Sequence, residues 1–197
     1  MAGRPGSYNG AGLPRLYGDI TSADCLKVRI LLRQLAREYE RLPIDASFGG
    51  YGLAAPVLEL ANGLMLAESN AILWYLAEST PYLPATAFWR AEVVQWLVLE
   101  RDRIRSLASL RDGAAPAEGG RRRVVADALE RLDETLWGGP FVVGNAYSIA
   151  DIALYASVHV APEAGFDLSH YPSVAEWLAR VERQPRFVND LEPFSAG

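Results

Sequence analysis

The fold is decided by residues 55–73, which read A-P-V-L-E-L-A-N-G-L-M-L-A-E-S-N-A-I-L. Two short apolar stretches flank the pair Asn62-Gly63, which suits the type I′ turn of a two-stranded hairpin. The polar pair Glu68-Ser69 then opens a stretch with helical character. This segment therefore predicts a β-hairpin followed directly by a helix.

The preceding part of the chain alternates strand and helix signals. Residues 15–17 form a short strand candidate that ends at Gly18, and residues 39–44 form a second one. Between them, residues 24–37 place apolar side chains at helical spacing. Residues 45–54 hold three glycines and are typical of a loop. The order strand, helix, strand, hairpin, helix predicts a small α/β layer.

The remainder of the chain is predicted to be helical. Helix candidates cover residues 86–110, 121–137, 148–160 and 173–184, and loops are expected at 113–120, 138–140 and 161–171. Ser148 and Asp151 have the spacing of a capping box, with Asp in place of the usual Glu or Gln. We therefore expect Asp151 to be a buried structural residue.

These signals divide the chain into four parts. Residues 1–12 are Gly-rich and polar and are predicted to be a disordered lead, followed by an α/β domain at 13–80. Residues 81–85 form a proline-punctuated linker, and residues 86–197 form an all-helical domain. The predicted fold class is an α/β domain followed by a helical bundle.

The composition excludes several classes of function. The net charge of −5 and the pI near 5.1 argue against nucleic acid or an anionic membrane as the main partner. The apolar runs are too short to span a bilayer. With one cysteine and two histidines, the chain offers neither an internal disulfide nor a Cys- or His-rich metal site. We expect a cytoplasmic protein.

Four stretches, in their order and spacing, resemble the cytosolic glutathione transferase family. Residues 16–19 lead into Ser22-Ala-Asp-Cys25, and the others are Ala55-Pro-Val-Leu58, Glu68-Ser-Asn-Ala-Ile-Leu73 and Ser148-Ile-Ala-Asp151. The tail, with Tyr171-Pro-Ser-Val174 and Trp177-Leu-Ala-Arg180, fits as well. The resemblance implies a bacterial-type member with a serine motif, in which a thioredoxin-like domain precedes an all-helical domain.

The resemblance also implies a set of site residues. Ser22 stands where the family has its catalytic serine, in the sequence S-A-D-C instead of the usual S-G-N-C. A hydroxyl at a helix N-terminus lies in an environment that stabilises a thiolate. Pro56 corresponds to the family's cis-proline, which leaves the Ala55 backbone to pair with bound glutathione. Glu68 and Ser69 would bind the γ-glutamyl end, with Ser69 and its amide at the carboxylate.

Two other residues near Ser22 have a chemical interpretation of their own. Ser22-x-x-Cys25 has the spacing of a redox C-x-x-C motif whose first cysteine is replaced. We expect the second position of such a motif to point inward, so that Cys25 is partly buried and inert. Tyr17, at a strand end, is either an alternative donor to a thiol or a core residue.

The chain departs from the family pattern before Pro56. The family normally has an extra helix in this segment and a basic or amide residue that meets the glycine carboxylate. Here the segment is short, and residues 46–55 contain no Lys, Arg, Gln, Asn or His. A glutathione carboxylate would therefore need Lys27, another arginine, water or a partner subunit.

In the helical part, Arg101 and Arg105 lie one turn apart on a helix with which relatives line the acceptor pocket. They either grip an anionic substrate or face solvent. Trp74 is either an interface anchor or a core residue. We expect a two-fold homodimer through the apolar set Leu73, Trp74, Val94 and Leu97.

The function that the resemblance implies is transfer of glutathione, as co-substrate, to a small hydrophobic electrophile. Two alternatives keep the same fold. One is a glutathione-dependent isomerase or lyase of a specialised pathway, and the other is a non-catalytic binding module with a degenerate glutathione site. The shortened segment before Pro56 favours the binding module, whereas Ser22, Pro56 and Glu68-Ser69 favour the transferase.

Overall fold

The computed structural model describes residues 12–44, 55–111 and 118–189. These residues contain a four-stranded sheet in the order β2-β1-β3-β4, formed by β1 (Arg15–Tyr17), β2 (Glu40–Leu42), β3 (Val57–Glu59) and β4 (Met65–Ala67). β1 pairs in parallel with β2 and antiparallel with β3, and β3 pairs antiparallel with β4. A parallel pair needs a crossover connection, which here is a helix. The α/β architecture is therefore confirmed, and β1 has the predicted bounds, whereas β2 is shorter than the strand predicted at 39–44.

Two helices belong to the same half of the chain as the sheet. The crossover is α1 (Ala23–Gln34), and α2 (Ser69–Ala77) follows the hairpin. α1 packs against α2 and also against a helix of the second half, α6 (Ile149–Val158). Because it has neighbours on both sides, α1 is buried at nearly every position, including Lys27 and Arg29.

The second half is helical throughout its described length. Its elements are α3 (Ala87–Leu99), a π-helical turn (Glu100–Ile104), α4 (Ser106–Arg111), α5 (Glu118–Trp137), α6, a 3₁₀ turn (Leu168–His170) and α7 (Pro172–Glu182). All ten residues of α6 are buried, which places this helix at the centre of the bundle. Among the described residues, none of the helices has the length and apolarity that crossing a membrane requires.

The predicted capping box at the start of α6 is confirmed. Ser148 caps the helix with its side chain, and the Asp151 carboxylate accepts a hydrogen bond from the Ser148 backbone N–H at 2.9 Å. The same carboxylate accepts from the Val142 N–H at 3.1 Å and from the Trp177 indole N–H at 3.0 Å. Asp151 is fully buried. It therefore joins the loop before α6, the helix itself and α7.

Several details of the sequence prediction were wrong. The hairpin turn is not type I′: only Gly63, at φ +80°, has a positive φ, and its N–H bonds to the Leu60 carbonyl, as in a longer loop with a bulge. The single helix predicted at 86–110 is divided by the π turn. Gly119 and Gly120 belong to α5 instead of the preceding loop.

Two residues of the predicted dimer interface are core residues instead. Leu73 and Leu97 are buried within the chain, because α2 and α3 turn these faces toward its interior. Trp74 is half-buried beneath the guanidinium of Arg90. The predicted disordered lead, apart from Gly12, and the predicted loop at 45–54 lie outside the described residues.

Candidate functional site

The loop that leads into α1 is held by hydrogen bonds within the loop and by one from the helix itself. The Asp19 carboxylate accepts from the Thr21 N–H at 2.9 Å, and the Asp19 carbonyl accepts from the Ser22 N–H at 3.3 Å. From inside α1, the buried guanidinium of Arg29 donates to the Ile20 carbonyl at 3.1 Å. These contacts fix the backbone from which Ser22 projects.

Ser22 is the N-cap of α1. Its backbone is extended, with φ −80° and ψ 125°, and its Oγ accepts from the Cys25 N–H at 3.4 Å. A hydroxyl that accepts in this way keeps its own hydrogen for a second partner. Ser22 is half-buried, so that this hydrogen can meet a ligand at the positive end of the helix.

The segment before β3 approaches the same place. The Ala55–Pro56 peptide bond is cis, as the resemblance implied. Gly18 lies between this segment and α1: a Cβ added to it would stand 2.3 Å from the Cys25 Sγ and 3.7 Å from the Ala55 Cβ. A side chain at this position would collide with the Cys25 thiol, so the glycine allows the strand end to come this close to the first turn of α1, while the Ala55 distance is an ordinary contact.

Neither the Cys25 thiol nor the Tyr17 hydroxyl is available as a catalytic group at this place. Cys25 is buried, and burial raises the pKa of its thiol. A thiol with a raised pKa is a poor nucleophile at neutral pH. The Tyr17 hydroxyl donates to the Glu59 carboxylate at 2.7 Å, so it is committed within the sheet.

Glu68 and Ser69 form the start of α2. Glu68 is exposed and has φ 69°, a left-handed conformation that costs free energy in a residue other than glycine. Such strain is concentrated at functional sites. Ser69 is buried, and its hydroxyl donates to the Asp24 carboxylate at 2.7 Å. This bond holds the start of α2 against the start of α1.

Behind these helix starts lies a buried network of charges. Lys27 donates to Glu100 Oε2 at 3.0 Å and to Asn70 Oδ1 at 3.1 Å, and its ammonium lies 3.0 Å from Asp24 Oδ1. The second oxygen of Glu100 accepts from the Ser157 hydroxyl at 2.7 Å. Lys27 is 1% exposed and fully paired. The suggestion that Lys27 meets a glutathione carboxylate is therefore wrong.

The network reaches solvent at Arg105. Arg101 and Arg105 are both exposed, and the Arg105 guanidinium lies 2.7 Å from Asp24 Oδ2. Burial alone would raise the pKa of Asp24, but Lys27, the Ser69 hydroxyl and Arg105 together hold that pKa below its usual value. Asp24 is therefore an anion at neutral pH.

Glu100 and the role of Asp24 were not predicted from the sequence. A signal was present, since Lys27 is the only lysine of the chain and lies in a helix of mostly apolar residues. A buried cation in such a helix requires an anionic partner. Nothing in the sequence pointed to Glu100 as that partner, which lies 73 positions away.

The comparisons with known proteins agree with this architecture. Residues 112–185 match the model of the glutathione S-transferase C-terminal domain. The chain is 32% identical over 190 residues to the disulfide-bond oxidoreductase YfcG of Escherichia coli, covering 81% of this chain and 86% of that protein.

Solved structures give the same result over a larger part of the chain. A glutathione S-transferase from Pseudomonas fluorescens superposes with a TM-score of 0.84 at 37% identity, covering 92% of this chain and 100% of that one. A possible glutathione S-transferase from Rhodopseudomonas palustris has the same TM-score and coverage at 34% identity. The chain, with its thioredoxin-like sheet and its helical second half, belongs to the glutathione transferase family.

Proposed function

We propose that the protein binds glutathione, stabilises its thiolate with the Ser22 hydroxyl and joins the sulfur to a small hydrophobic electrophile. One observation carries the proposal: the first turn of α1, which Ser22 caps, and the cis Ala55–Pro56 segment approach each other at Gly18, where an added Cβ would lie 3.6 Å from the Cys25 Cβ and 3.7 Å from the Ala55 Cβ. A tripeptide backbone paired with Ala55 would present its cysteine to Ser22. Family membership supports the choice of glutathione as the tripeptide.

The chemistry needs little from the protein beyond orientation and a lower thiol pKa. The proton of the thiol leaves to solvent, and the Ser22 O–H and the positive end of α1 stabilise the sulfur anion that remains. The sulfur then forms a bond to an electrophilic carbon, and a leaving group departs with the electron pair of its own bond. Holding both reactants together supplies the rest of the rate enhancement.

Recognition of the γ-glutamyl group is assigned to the start of α2. Glu68 would accept from the ammonium group, and the Ser69 N–H would meet the carboxylate at the helix N-terminus. The Ser69 hydroxyl already donates to Asp24. Its role is therefore to hold Ser69 in place, and the backbone N–H is the group left for the ligand.

A second activity is favoured by the relative named a disulfide-bond oxidoreductase. An activated glutathione thiolate can attack a disulfide, releasing one thiolate and leaving a mixed disulfide. A second glutathione thiolate then releases the other thiolate and forms glutathione disulfide. This sequence needs no protein cysteine, which is compatible with the burial of Cys25. It requires a reducing compartment such as the cytoplasm, where we place the protein.

Replacement of Glu68 tests the binding assignment. We expect Glu68→Gln to weaken glutathione binding about tenfold, because the ammonium loses a charged acceptor while the backbone of α2 is kept. Titration calorimetry with glutathione measures the change. Glu78→Gln, at the opposite end of α2, is the control and should bind as the wild type does. Equal affinities of all three proteins would contradict the assignment.

We also propose a two-fold homodimer through α2 and α3. Val94 and Val98 remain 44% and 51% exposed one turn apart on α3, and Tyr75 of α2 is 39% exposed. A stable dimer should bury at least about 1,200 Å² in total.

Light scattering at micromolar concentration is expected to report twice the chain mass of 21.6 kDa. Val94→Asp should shift the protein toward the monomer, because a charge would be buried in the interface. Val124→Asp, on α5, should not. A wild type that remains a monomer would refute the dimer.

A further inference from the structure

We propose that Arg105, from the helical half, is the residue that binds the γ-glutamyl carboxylate of glutathione at the start of α2. This inference rests on the proposed function. It assigns the carboxylate to one guanidinium and distinguishes this end of the ligand from the glycine end.

Two opposing electrostatic effects act on a ligand carboxylate at the start of α2. A helix N-terminus favours an anion, and the start of α2 is where the ligand carboxylate is assigned. The buried Asp24 carboxylate, however, lies 2.7 Å from the Ser69 hydroxyl. A second carboxylate next to this one would be repelled. Lys27 lies 3.0 Å from Asp24 Oδ1 but is shared with Glu100, so binding of the ligand carboxylate requires a further cation at the same place.

Arg105 is placed to be this cation. Its guanidinium lies 2.7 Å from Asp24 Oδ2, on the oxygen that Ser69 does not use. The side chain is 47% exposed, and a guanidinium has five N–H donors in a planar fork. One edge can bind Asp24 while other N–H groups meet a ligand carboxylate in the bidentate manner that arginine favours.

The π turn fixes the position of Arg105. The Arg105 N–H bonds to the Glu100 carbonyl at 2.8 Å, and the Glu100 side chain is held by Lys27 and Ser157. The backbone that carries Arg105 is therefore anchored to α1 and α6. A pre-positioned guanidinium loses less conformational entropy when it binds a ligand.

The two cations of α1 that follow Asp24 in sequence cannot take the place of Arg105. Lys27 and Arg29 are 1% exposed, and the sequence has no Lys or Arg between Arg41 and Arg90. Arg105, from the other half of the fold, is the exposed cation that the structure places on Asp24. The sequence of residues 46–55 also contains no basic residue that could bind the glycine carboxylate of glutathione.

Calorimetric titration with glutathione and two amidated analogues tests the assignment. For the wild type, we expect amidation of the γ-glutamyl carboxylate to weaken binding about tenfold or more, and amidation of the glycine carboxylate to change it little. This measurement needs no variant. The reverse order would overturn the proposal.

Arg105→Gln should weaken glutathione binding about ten- to hundredfold, because the ligand carboxylate loses its guanidinium partner and Asp24 is compensated only by Lys27, which also pairs with Glu100. It should not weaken binding of the γ-glutamyl amide further. Arg101→Gln is the matched control on the same turn and should bind as the wild type does. Arg105→Lys should restore part of the affinity, since the charge is kept.

The double variant Asp24→Asn/Arg105→Gln separates this role from a structural one. It removes the repelling charge, so we expect it to recover most of the lost affinity. Full affinity of Arg105→Gln, or a loss that Asp24→Asn leaves unchanged, would overturn the assignment while the proposed function stands. A wild type that does not bind glutathione at all would overturn both.

Discussion

Ser22→Ala is expected to slow glutathione conjugation by about ten- to hundredfold at neutral pH, the cost of one hydrogen bond to a charged sulfur. Ser22 is the half-buried N-cap of α1, and the first turn of this helix meets the cis Ala55–Pro56 segment at Gly18. Its Oγ accepts from the Cys25 N–H, which leaves the hydroxyl hydrogen for the ligand. The backbone N–H groups of the helix start remain in the variant, so some activity should survive.

The pH dependence identifies the cause of this loss. If Ser22 acts by lowering the pKa of the bound thiol, the defect should shrink at high pH, where glutathione ionises without help. The rate with an aromatic electrophile is measured across about pH 6 to 9. A defect that is the same at every pH would show that Ser22 acts on something other than thiol ionisation.

Cys25→Ala is the matched control for Ser22→Ala. The Cys25 thiol is buried and burial raises its pKa, so its removal should leave the rate nearly intact. Loss of activity in Cys25→Ala, with Ser22→Ala unaffected, would reverse the roles given to these residues. It would then favour a redox function for the Ser-x-x-Cys motif.

Asp151→Ala is expected to destabilise the fold by about 3 kcal/mol or more, which lowers Tm by roughly 6–12 °C for a chain of this size. The Asp151 carboxylate accepts from three backbone or indole N–H groups, of Val142, Ser148 and Trp177. It is fully buried, so each of these donors would be left without a partner and without water.

Thermal unfolding followed by circular dichroism measures this effect. Asp167→Ala is the control, because the Asp167 carboxylate also accepts from a backbone N–H at a helix start but is exposed. Its Tm should change little. A similar Tm for Asp151→Ala and the wild type would show that the capping box contributes nothing to stability.

Much of the fold could be predicted because its signals are local. The Asn62-Gly63 pair, the helical spacing of apolar residues and the Ser148–Asp151 spacing each act over a few residues. The cis Pro56 and the burial of Asp151 were also predicted correctly. The cis bond was predicted from the family resemblance, whereas the capping box was predicted from the residue spacing alone.

The charge network could not be predicted because its contacts are distant in sequence. Lys27 and Glu100 meet only when α1 and the π turn pack together, and no periodicity anticipates this turn. Leu73 and Leu97 were assigned to a dimer interface for a related reason. Apolar periodicity identifies a buried face of a helix, but not whether the partner is the same chain or another one.

The pKa of the glutathione thiol in the complex tests the central claim most directly. Ultraviolet absorption of the thiolate is followed in a pH titration of wild type saturated with glutathione, with Ser22→Ala in parallel. The account predicts that the bound thiol has a pKa at least about one unit below the ordinary value near 8.5, and that Ser22→Ala removes most of this shift. A bound thiol that ionises like free glutathione would contradict the account.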